Sequence, residues 1–116
     1  MIKGEILMIP GTTSTFILNL KNSEDYLADT VALRVDIRQQ DVLIQKFMED
    51  LVVDTNENTI TITLSQKDSI KFLYKKGNIE IQAHGLLSDG KTSWKTYVTE
   101  IPVDKTLSKE VLYYDN

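Results

Sequence analysis

The sequence predicts an all-β, antiparallel sandwich of about seven to eight short strands, with one short helix over residues 65–75. Three observations point there. Apolar and polar residues alternate with a period of two in several runs, most cleanly in "NTITITL", where Ile60, Ile62 and Leu64 alternate with Thr59, Thr61 and Thr63. Such alternation marks strands with one covered and one wet face. Turn-forming residues interrupt the chain repeatedly, and only one stretch carries a helix start. A barrel is the alternative closure for so many short strands.

Taken in order, "EILMI" is a short and irregular first strand. Pro10-Gly11 is a turn, and "STFILNL" then puts Phe16, Leu18 and Leu20 on one face. Lys21 to Asp25 is a polar turn. "TVALRVDIR" aligns Val31, Leu33, Val35 and Ile37 against Arg34, Asp36 and Arg38. "VLIQKFM" is less regular, as an edge or doubly covered strand is. Asp54 to Asn58 turns the chain into "NTITITL". Ser65 has the chemistry of a helix cap, with Asp68 three residues on to complete a capping box. From there Ile70, Leu73 and Tyr74 share one helical face until Gly77 ends it.

"NIEIQA" sets Ile79, Ile81 and Ala83 against Glu80, Gln82 and His84, and Gly85 reads as a bulge where the alternation changes phase before Leu86 and Leu87. Ser88-Asp89-Gly90-Lys91 is a tight hairpin turn, with Asp-Gly supplying positive φ. "SWKTYVTEIPV" closes the fold. Residues 1–104 form the sandwich domain and 105–116 a C-terminal tail.

A chain of 116 residues fits one domain and buries roughly two-thirds of its unfolded surface, enough for a core without staples. The absence of cysteine removes disulfides, thiolate zinc sites and cysteine nucleophiles together. A net charge of −4 disfavours a phosphate backbone as partner, so nucleic acid is not expected. No run approaches the about 20 apolar residues of a membrane helix. The N-terminus lacks the pattern of a signal peptide, so the cytoplasm or an assembly made there is the expected location.

Few residues invite chemistry, and no catalytic, cofactor-binding or metal-binding residue is assigned. His84 is the lone histidine, placed on the wet side of a strand. "DTNENT" begins like a calcium loop, but Thr59 stands where glycine is required and Ser65 where a bidentate glutamate is required. Lys67, Lys71 and Lys75 would form a solvated basic stripe on a helix. The seventeen carboxylates carry no spacing that marks a catalytic pair. Trp94 and Tyr97 would give a sugar-stacking platform if exposed; a core or hairpin-flank position for Trp94 is the plainer expectation. The tail is apolar for a chain end, with Leu107, Val111 and Tyr114 at helical spacing. Leu107, Val111, Leu112, Tyr113 and Tyr114 are therefore the candidate partner-docking residues.

The order "ITLSQKDSIKF", "GNIEIQAHGLLSDGKT", "SWKTYVTEIPV" and "TLSKEVL", preceded by "TSTFILNL" and "TVALRVDIRQ", resembles a family of small prophage proteins. It is similar to the N-terminal domain of baseplate upper proteins from tailed phages of Gram-positive bacteria. That resemblance implies an immunoglobulin-like sandwich, attachment to other tail or baseplate proteins, self-association and no catalysis. It places the protein in the host cytoplasm during assembly and afterwards in the virion. "LSQKDSIKF" also resembles the immunoglobulin stretch before the tyrosine corner, although Phe72 lacks the hydroxyl. A carbohydrate-binding sandwich module is the alternative function.

Overall fold

A computed structural model describes residues 8–20 and 26–107. The described residues form eight strands in two antiparallel sheets. The smaller sheet has the order β1 (Ser14–Asn19), β5 (Thr59–Leu64), β4 (Val52–Asp54). The larger runs β3 (Val42–Phe47), β2 (Thr30–Gln39), β6 (Ile79–Leu87), and then β7 (Ser93–Lys95) and β8 (Thr99–Ile101), which share the far side of β6. Among the described residues the strand order follows an immunoglobulin-like arrangement: β1, β5 and β4 stand where strands B, E and D would, β2, β6 and β7–β8 where C, F and G would, β3 extends the second sheet, and no described strand occupies the place of A beside β1. Met8 bridges Val103 in parallel beside the final strand.

The alternating residues face the core as expected. Phe16, Leu18, Ile60, Ile62 and Leu64 from one sheet meet Leu33, Val35, Ile37, Ile79, Ile81, Ala83 and Ile101 from the other. Removing these side chains from water is the main favourable term for a fold of this size.

Several local expectations are corrected. Val31 does not join the inner face: the β2–β6 register shifts between Thr30 and Ala32, and Val31 is 57% exposed. Gly85 is no bulge. β6 alternates without a break from Ile79 to Leu87, and the glycine makes room for the Trp94 ring on the facing strand, where any Cβ would collide with the indole. The last strand is two, because three residues, Thr96 to Val98, oppose Gln82 and Ala83 between the β7 and β8 registers. The Ser88–Lys91 loop is a four-residue connection. Leu87 N donates to Thr92 O at 2.8 Å, and only Gly90 uses positive φ, at 72°. Asp89 accepts the Lys91 and Thr92 amides and the Thr92 hydroxyl. Those bonds, the Thr92 hydroxyl first, hold its carboxyl below the ordinary aspartate value.

The helix expected over 65–75 is one turn, α1 (Gln66–Ser69), followed by a separate 3-10 turn at Tyr74–Lys76. Ser65 caps it, its hydroxyl accepting from Asp68 N at 3.1 Å. The buried residue of this connector is Phe72, fully enclosed, while Tyr74 is half exposed. Two inward polar side chains fix the connector to the sheets. Gln39 closes on Leu73 and Gly77. Ser69 Oγ accepts from Gly11 N at 2.9 Å and donates to Thr12 O at 2.7 Å, tying α1 to the Pro10-Gly11 turn. With those bonds made, no buried side-chain polar atom among the described residues lacks a partner.

Candidate functional site: the open sheet edges and their grooves

The outer face of the larger sheet carries the residues that most resembled chemistry. Arg34 grips Asp36 through two nitrogens, at 2.9 and 3.2 Å, and Gln45 donates to the same carboxylate. Arg38 pairs with Glu80 at 3.2 Å. His84 lies in register between Arg34 and Lys95, so its cross-strand neighbours are cations and not an orienting carboxylate. Asp54 spends one carboxylate oxygen on the amides of Asn56 and Glu57, which makes the Asp54–Asn58 segment a self-capped turn. Among the described residues no three of His, Asp and Glu gather where a metal ion would fit. No described helix is long and apolar enough to cross a membrane.

Lys46 and Asp68 form an ion pair 2.8 Å apart, with side chains about one-fifth exposed, better protected than the Arg34–Asp36 and Arg38–Glu80 pairs. Partial burial acts to raise the Asp68 carboxyl. The hydrogen bond and charge of Lys46, with Lys71 and the Ser65 hydroxyl, outweigh it and hold the group below the ordinary aspartate value. Lys67, Lys71 and Lys75 are exposed, but the helix is too short for them to form one stripe.

Trp94 offers no free platform. Its ring lies over Gly85, packs against the core and donates from Nε1 to Thr30 Oγ1 at 3.0 Å. Tyr97, two residues beyond β7, is 96% exposed. It lines an apolar groove of about 550 Å³ with Tyr26, Trp94, the second half of β1 from Ile17 to Asn19 and the following Leu20. That groove lies between β1, which pairs on one side only among the described residues, and the β7–β8 edge of the larger sheet. A second groove of about 510 Å³ lies between the α1 connector and the start of the tail, bounded by Pro10, Ile70, Leu73, Tyr74 and Leu107. Lys105 Nζ sits 5.2 Å from the centre of the Tyr74 ring there, within cation–π range.

Of the five residues expected to dock a partner, Leu107 is fully exposed beside the second groove. Val111, Leu112, Tyr113 and Tyr114 lie outside the described residues. The edge groove was not foreseen from the sequence, although one signal for it is present: no charged residue occurs from Ile6 to Leu20. No protein-family model matches this chain, and no curated protein matches it.

Proposed function

We propose that this chain is a non-enzymatic assembly module of a phage or prophage tail or baseplate, working through protein–protein contacts. The observation that carries the reading is the apolar groove between β1 and the β7–β8 edge, with the almost fully exposed Tyr97 at its rim and β1, uncharged, paired on one side only among the described residues. Unpaired strand edges bind extended segments of other chains through main-chain hydrogen bonds, with neighbouring pockets taking alternate side chains. The fully exposed Leu107 beside the second groove supports the same mode of action. The tail or baseplate assignment rests on the strand-and-turn resemblance set out above.

The test is co-purification. The tagged chain is expressed with the products of the genes that flank its own. Retention of one of them in stoichiometric amount is the expected result. A chain that retains none, while folded by circular dichroism, refutes the assignment.

A further inference from the structure

The connector from Ser65 to Gly77 has a charge opposite to that of the chain it belongs to. It carries four lysines, Lys67, Lys71, Lys75 and Lys76, against one carboxylate, Asp68, in a protein of net charge −4. Asp68 is already committed to Lys46. All four lysines are exposed, and among the described residues neither they nor Lys105 form an ion pair.

Two of these cations meet an apolar floor. The groove of about 510 Å³ between the connector and residues 104–107 is built on the half-buried Ile70 and Leu73, with Tyr74 half exposed and Leu107 fully exposed along its sides. Lys75 and Lys105 line it, and Lys105 sits over the Tyr74 ring, not against a carboxylate. The acid in the lining, Asp104, accepts the Lys105 amide at 2.7 Å. The Gln39 and Ser69 bonds fix the connector from behind, so the floor is formed before anything binds and little ordering is left to offset.

We propose that this groove docks a segment of a partner protein in which apolar side chains are flanked by carboxylates. This rests on the reading of the chain as a protein-contact module and names the chemistry of its partner. Charge complementarity selects that chemistry. Lysines beside apolar residues attract a carboxylate-bearing segment and reject a basic one. The acidic remainder of the surface repels the same segment, which directs it to the connector. The shape favours a peptide over a lipid surface. A membrane-binding face sinks its apolar side chains into the headgroup boundary, whereas Ile70 and Leu73 lie half-buried at the bottom of a groove and receive side chains from outside.

The probe is a displayed library of random short peptides, panned against the immobilised full chain. The selected peptides are expected to combine Leu, Phe or Tyr with Asp or Glu, and to bind more weakly as salt is raised. Lys75→Glu and Lys105→Glu are each expected to weaken them about tenfold, since an attractive pair becomes a repulsive one. Lys91→Glu makes the same change in the hairpin loop, outside the groove, and is expected to leave binding unchanged. All three sites are exposed, so circular dichroism melts are expected to match the wild type. Selected peptides that lack carboxylates, or that Lys75→Glu and Lys105→Glu leave bound, overturn the proposal. So does a wild-type chain that selects nothing; if a Leu112→Asp, Tyr113→Asp variant then selects peptides, the occupant is the chain's own segment 108–116. So does binding to vesicles of phosphatidylserine and phosphatidylcholine in equal parts that Lys75→Glu abolishes while no peptide is selected. A flanking gene product retained equally by wild type and by the two lysine variants overturns the groove alone. Acidic peptides bound through the groove of a chain that retains no flanking product uphold the groove and remove the tail assignment.

Discussion

The side-chain amide of Gln39 pairs with the backbone of Leu73 as a neighbouring strand would: Nε2 donates to Leu73 O at 2.7 Å and Oε1 accepts from Leu73 N at 2.9 Å. Nε2 also donates to Gly77 O at 2.8 Å. Gln39 is only 2% exposed, so its side-chain amide depends on these bonds in place of water. They hold the connector before β6 against the end of β2, the region where immunoglobulin domains use a tyrosine hydroxyl. In this chain Phe72 supplies the buried ring and Gln39 the hydrogen bonds.

Replacing Gln39 by Met keeps the volume and removes all three bonds, leaving one amide and two carbonyls without partners. The expected cost is about 2 kcal/mol, about 1 kcal/mol for each of the two stranded Leu73 groups, since the exposed Gly77 can turn its carbonyl to water. Urea denaturation should show a lower midpoint with an unchanged slope, because the surface exposed on unfolding stays the same.

Gly85 and Trp94 are a cross-strand pair in which the ring covers the missing side chain. Gly85→Ala places a methyl group where the indole lies. The ring must swing away and release Thr30 Oγ1. A loss of about 2 kcal/mol is expected from overpacking and the lost bond together. As Trp94 is the sole tryptophan, a red shift of its emission in the native state reports the displacement directly. Unchanged emission and stability would contradict the packing described.

The strands were legible because alternation is a local signal and this core follows it: Ile60, Ile62, Leu64, Ile79, Ile81 and Ala83 all point inward. The errors arose where the cause lies on another strand. Gly85 looked like a phase change because nothing in its own segment reveals that a ring from residue 94 lies over it. The helix was overextended because Ile70, Leu73 and Tyr74 have helical spacing, whereas the connector bends so that Phe72 is buried and Gln39 takes its backbone groups. Gln39 itself was reachable: continuing Val35, Ile37 by one step puts residue 39 inward, and a buried glutamine must be satisfied. The groove beside β1 was out of reach because its lining comes from three separated stretches, around Ile17, Tyr26 and Trp94, which only the fold brings together.

The Lys46–Asp68 pair makes stability depend on acidity. The native Asp68 carboxyl titrates below its unfolded value, so the folded state binds fewer protons there and gains stability above the ordinary aspartate range. That gain is complete near neutrality and is lost as pH falls from about 4 through the lower native value. Lys46→Met should cost roughly 1 kcal/mol at pH 7, the scale of a partly exposed pair. The difference between variant and wild type should shrink as pH falls from about 5 to 3. A difference constant with pH would show that the loss comes from packing and not from charge.

Thr96 lets the β7–β8 edge carry its bulge without stranding β6. Its backbone N donates to Ala83 O at 3.0 Å, and its hydroxyl accepts from Ala83 N at 3.0 Å, so one residue serves both groups of a fully buried neighbour. The Thr96 carbonyl receives Gln82 Nε2 at 2.8 Å. Thr96→Val is nearly isosteric, keeps the backbone bonds and removes only the hydroxyl acceptor. The Ala83 amide is then left unpaired inside the sheet, at an expected cost of about 1–2 kcal/mol. Hydrogen exchange separates this from a general loosening. The Ala83 amide should lose more protection than the amides of Ile79 and Ile81, which exchange only through larger openings. Uniform loss across β6 would mean that the bulge is not held by this hydroxyl.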